Sequence, residues 1–122
     1  MAIDLSTLVE RANADSEFAL HARFWNATVK LGIGDSNYRL DIRDGAVKSC
    51  GPWSGAIAGD LAIVADDAEW AKLLEPVPPP FYQDLYAATI HHGFSVAGDT
   101  KNYCAYYPAV RRLIDLMREC RS

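Results

Sequence analysis

The chain has 122 residues, half of them hydrophobic, which is ample for one packed domain over residues 1–122 and leaves no room for a second. Its formal net charge of −4 and pI near 5.2 argue against a nucleic-acid binder, which would carry a basic patch or stripe. Three cysteines, Cys50, Cys104 and Cys120, with no CxxC pair among them, argue against a disulfide framework and a structural zinc site.

In chain order, residues 3–13 place Ile3, Leu5, Leu8, Val9 and Ala12 near helical spacing. Asp15 or Ser16 then suits an N-cap for a second short helical segment containing Phe18, Ala19 and Ala22. From Trp25 to Ile33 the period changes to two, which predicts a strand with one buried and one wetter face. Gly34-Asp35-Ser36-Asn37 punctuates the chain, and Tyr38, Leu40 and Ile42 alternate with Arg39, Asp41 and Arg43 in a second strand. Asp44-Gly45 is a two-residue hairpin signal, so residues 46–50 return antiparallel and complete a three-strand meander.

After a loop at residues 51–55, the apolar run from Leu61 to Ala65 fits a fully buried strand. Asp66 and Glu69 form an acidic capping box for a helix carrying Trp70, Leu73 and Leu74, which stops before Pro76. The prolines of residues 76–80 make a stiff connection. A helix is expected over residues 80–92, with Pro80 at its start and Gly93 as a left-handed cap. Residues 94–97 form a last strand. A helix over residues 100–119 closes the chain, broken or restarted at Pro108. Strands first and helices late indicate an α+β layer arrangement.

Residues 1–75 carry 7 basic and 12 acidic side chains, whereas residues 76–122 carry 5 basic and 4 acidic ones. The basic excess, chiefly Arg111, Arg112, Arg118 and Arg121, fits a solvated helix face. There is no signal-peptide core, no apolar run near the roughly 20 residues of a transmembrane helix, and no Ser-Lys-Leu ending. The expected compartment is the reducing cytoplasm.

Several of these segments resemble the sterol-carrier-protein-2 family. Residues 25–33 with Tyr38-Arg39-Leu40-Asp41-Ile42 resemble its first hairpin, and Asp44-Gly45-Ala46-Val47 resembles its turn. Residues 59–63 running into Asp66-Asp67-Ala68-Glu69-Trp70 resemble its strand-then-helix unit. Residues 93–99, from Gly93 to Asp99, resemble its late strand. The resemblance covers about residues 20–120. It implies a five-stranded, mostly antiparallel sheet covered by helices on one face, with an apolar cavity between the layers, and members that bind sterols, acyl chains or other apolar molecules.

Candidate site residues come from the aromatic set. Trp53, Trp70, Phe81 and Tyr82 precede or open the expected 80–92 helix, within which Leu85 and Tyr86 fall. Phe94, Tyr103, Tyr106 and Tyr107 follow it. A buried phenol needs a hydrogen-bond partner, so apolar walls with a few tyrosines suit an apolar ligand bearing one or two oxygens. The histidines offer less. His91 and His92 are adjacent near a helix end, Asp84 lies two turns before His91, and Glu17 lies four residues before His21. No HExxH, GxSxG, P-loop or GxGxxG pattern occurs, and no catalytic residue, metal ligand or cofactor is assigned. Three readings stand. The first is a carrier or binder of an apolar molecule. The second is a small cofactor-free isomerase, cyclase or lyase using a tyrosine and a proton-moving histidine or aspartate. The third is an interaction module beside a larger enzyme. An open strand edge would also allow a homodimer.

Overall fold

The structure is a computed structural model and describes residues 4–53 and 61–120. Parts of the expectations above fall outside them: Ile3 of the first helix, residues 54–55 of the loop, Gly59 and Asp60 of the resemblance, and Arg121.

Two short helices open the chain, α1 (Leu5–Ala14) and α2 (Ser16–His21). Asp4 caps the first and Asp15 the second, its Oδ2 accepting from the Phe18 amide at 2.7 Å. The strands follow as β1 (Ala27–Ile33), β2 (Ser36–Arg43), β3 (Ala46–Pro52) and β4 (Leu61–Ala65). Then come α3 (Asp67–Leu73), α4 (Leu85–His91), β5 (Ser95–Gly98), α5 (Thr100–Ala105) and α6 (Tyr107–Glu119). The sheet order is β3-β2-β1-β4-β5, antiparallel at every pair except β1 and β4, which run parallel. The meander thus forms as expected, and the chain then crosses to the other side of β1.

Both hairpins turn where the sequence placed them. Gly34 takes φ +60, and Asp44 and Gly45 take φ +50 and +78, the double positive φ of a type I′ turn. At Gly45 a side chain is also barred sterically, since a Cβ would stand 2.7 Å from the Ala22 carbonyl oxygen. A bulge at Asp41/Ile42 leaves Lys48 without a partner on β2 and restores the alternation. Asn13 of α1 meets the bulged edge strand, its side chain exchanging hydrogen bonds with the Val47 N–H (2.8 Å) and C=O (2.9 Å). This blocks one sheet edge much as a neighbouring strand would.

Val29, Leu31, Leu40, Ile42, Leu61 and Ile63 share the inner face and are buried with Leu8, Phe18, Trp25, Trp70 and the apolar stripe of α6. Alternate positions on the outer face carry Arg39, Asp41 and Ser49, joined through the Asp41 carboxylate, which also accepts from Thr28. The expectation of a wetter face on β1 needs correction. Lys30 and Gly32 are buried as well, because β1 is the central strand: the Lys30 ammonium lies 4.7 Å from the Trp53 ring centroid, and Val64 closes over Gly32.

The expected helix over residues 80–92 is also shorter than predicted. Phe81 adopts φ +66, which no helix accommodates, so α4 starts only at Leu85. Its end differs too, since His92 is an extended cap and Gly93 is not left-handed. A Cβ at Gly93 would lie 3.3 Å from the Glu69 side chain, a tight approach that a small shift of Glu69 must relieve. Pro108 separates α5 from α6 as expected. No helix among the described residues is long and apolar enough to cross a membrane.

Candidate functional site

Arg118 of α6 ties the proline-rich connection to the core. Its guanidinium donates to the carbonyls of Leu73 (2.8 Å) and Tyr82 (3.2 Å) and pairs with Asp115 (2.6 Å). Tyr82 is buried, and its hydroxyl donates to Glu69 at 2.6 Å, so the capping-box glutamate is drawn away from its own helix terminus. Burial and then the Glu69 bond push Tyr82 up to about 12.

α4 begins without a side-chain cap from its own N-cap residue, Asp84. The Tyr107 phenol takes that place: it accepts from the Tyr86 N–H at 2.9 Å and donates to the Asp84 carboxylate. Tyr107 also meets Tyr103 edge-on, with ring centroids 5.4 Å apart. One residue of α6 therefore positions both helices that flank the β5 edge.

Between that edge and α4 and α5 lies a cleft of about 180 Å³. Leu61 of β4 and Val96 of β5 contribute apolar side chains from the inner face, Tyr86 and Thr89 come from α4, and Thr100 and Tyr103 from α5. Asp99 is its charged residue, with Oδ1 and Oδ2 engaged by the backbone and side chain of Asn102. The helices over it are weakly anchored: α4 buries Leu85 and Ala88, and α5 buries no residue fully.

The aromatic candidates divide accordingly. Tyr86 and Tyr103 line the cleft, and Tyr107 braces it. Trp70 and Phe94 pack edge-on in the core at 5.1 Å, where the Trp70 indole donates to the Gly32 carbonyl at 2.8 Å. Leu85 and Tyr82 are core residues as well. Tyr106 stacks on Trp25 at 5.2 Å. Phe81 is half exposed against His91, and Trp53 lies over Lys30 on the outer face. Leu61, Thr89, Val96, Asp99 and Thr100 were among the lining residues missed. Leu61 and Val96 read in sequence as ordinary strand residues, and only the pairing of β4 with β5 brings them to one edge.

The histidines are occupied structurally. His91 stacks on Phe81 (3.9 Å) and His92 on Tyr82 (3.7 Å), and His92 Nε2 lies 3.1 Å from the Pro80 carbonyl oxygen. Neither lines the cleft. Asp84 meets Tyr107 rather than His91. Glu17 pairs with Arg112 at 2.9 Å rather than with His21, although both border a second, polar cleft of about 290 Å³ beside α6. Among the described residues no group of three or more histidine, cysteine or acidic side chains could hold a metal ion.

Comparison with solved structures places the fold. The chain is similar to a crystal structure of sterol carrier protein 2, with a TM-score of 0.78 at 21% identity, covering 95% of this chain and 94% of that one. It is similar to a Thermus thermophilus protein described as possibly a sterol carrier protein, with a TM-score of 0.77 at 20% identity, covering 100% and 91%. It is also similar to a ubiquinone synthesis protein with a sterol-carrier-protein-2 domain, with a TM-score of 0.57 at 19% identity, covering 92% and 90%. No protein-family model and no curated protein matches the sequence. The chain therefore has the sterol-carrier-protein-2-like fold, an α+β arrangement that comprises, among the described residues, a five-stranded mixed sheet and six helices.

Proposed function

We propose that this protein binds or carries an apolar small molecule, taken up through the cleft between the β4–β5 edge and α4–α5. The observation that carries the reading is the cleft itself. Apolar side chains from the sheet's inner face reach a space covered by two short helices that bury few residues. The cleft holds only part of a long ligand, and yielding of α4 and α5 supplies the remaining room. Likeness of fold to sterol carrier protein 2 supports the same reading. No histidine lines the cleft, so the acid/base alternative would draw on Asp99 with Tyr86 or Tyr103.

The test is native mass spectrometry of protein purified from its own source, with extraction of any bound molecule. A co-purifying apolar compound supports the proposal. An empty protein whose melting temperature ignores fatty acids, sterols and long-chain ketones would refute it.

A further inference from the structure

Tyr103 belongs to the cleft wall, yet its hydroxyl oxygen is buried with no hydrogen-bond partner among the described residues. A buried phenol left in that condition is costly, and native proteins rarely tolerate it without a reason. The neighbouring phenols differ. Tyr107 is bonded to Asp84 and the Tyr86 amide, and Tyr82 to Glu69.

The charges around the cleft point one way. Asp99 lines it, Asp84 acts electrostatically on Tyr103, and no lysine, arginine or histidine is among the lining residues. Among the described lining residues, a carboxylate entering this space meets like charge and no cation. Burial first, and then Asp84, push Tyr103 up to about 12, so the phenol keeps its proton as a donor across the ordinary pH range.

Building on the binding role above, we infer that the cleft selects a neutral, oxygen-bearing apolar molecule (an alcohol, ketone or ester rather than a carboxylate) and that the Tyr103 hydroxyl, uncovered as α4 and α5 yield, donates a hydrogen bond to its oxygen. Tyr103 is thus a specificity-determining residue.

The test compares decane, decanol and decanoate as competitors of a fluorescent apolar probe, well above the carboxylate pKa range. The wild type should prefer decanol over decane by several-fold to about tenfold, the worth of one net hydrogen bond. It should prefer decanol over decanoate as well. Tyr103→Phe should lose the decanol advantage over decane, and Asp84→Asn should narrow the gap between decanol and decanoate. Because Tyr103→Phe removes an unpartnered hydroxyl, its melting temperature should equal or exceed that of the wild type, which keeps folding out of the comparison. Decanoate binding as tightly as decanol, or a Tyr103→Phe variant that still prefers decanol, would overturn this inference and leave the carrier reading standing. Failure of all three probes to compete would remove both.

Discussion

Replacing Tyr107 by Phe tests whether one phenol holds the cover of the cleft in place. The ring remains, so its packing on Tyr103 is kept and only the hydroxyl is lost. Two bonds go with it, the acceptor for the Tyr86 N–H and the donor to the Asp84 carboxylate. The first stands in for a helix cap, worth about 1 kcal/mol. The second is charge-assisted, worth roughly 1.5–3 kcal/mol when dry, and water replaces much of it at this half-buried site. A combined loss of about 2 kcal/mol follows, and it falls on a seven-residue helix that is marginal without its anchors. If α4 opens locally, hydrogen exchange of the amides in residues 86–92 should accelerate by about thirtyfold, the ratio equivalent to that energy. Amides in the middle of α6 and in β1 should change far less. Unchanged α4 protection, or a uniform loss across sheet and helices, would refute the argument that Tyr107 acts on the cover in particular.

Three further outcomes are expected. Trp70→Phe removes a buried indole donor from the Gly32 carbonyl and leaves a void, so urea denaturation should show a loss of about 2–3 kcal/mol. Arg118→Met keeps the apolar stem but strips the carbonyls of Leu73 and Tyr82 of their donor, at a cost of about 1–3 kcal/mol, with early proteolytic cutting between residues 75 and 84. Asp15→Asn retains a capping oxygen but loses the charge that pairs with Arg112, about 0.5–1 kcal/mol for a partly exposed pair. The Arg112 bond lowers the Asp15 pKa below its ordinary 3.8, and a group lowered on folding adds stability that is complete above its unfolded value. The gap between wild type and variant should therefore hold from neutral pH down to about 5 and close as the pH falls through the lower, folded value. Denaturation midpoints across that range check it.

Much of this fold could be read from local chemistry. The Asp44-Gly45 turn, the Asp66 cap, the break at Pro108 and the alternation of β2 each depend on residues within a turn of one another, and each stands as expected. Features set by distant partners were not readable. Lys30 is buried because β1 becomes the central strand and Trp53 arrives from the end of β3. Residues 80–84 stay out of the helix because Phe81 takes a left-handed backbone while its ring packs on His91. The aromatic set includes Tyr86 of α4 and Tyr103 of α5, which line the cleft, but composition could not separate Tyr103 from Trp70, which spends its one polar atom inside the core.

That separation bears on how binding and stability are shared out along the chain. The inner face of β1, β2 and β4 is sealed by Trp25, Trp70, Phe18 and α6, and removing any of these large side chains opens a void that nothing nearby can fill. α4 and α5 are held differently: α4 puts only Leu85 and Ala88 into the core and α5 no residue fully, and hydrogen bonds and rings at the helix ends hold them over the cleft. A molecule that enters the cleft adds apolar contact where α4 and α5 bury few residues of their own. Its binding energy should therefore appear as slower exchange in residues 85–105, with little change in the β1–β2 hairpin, whose protection is already set by global unfolding. Equal slowing in both regions would place the ligand against the central core instead, and the cleft would then be incidental to binding.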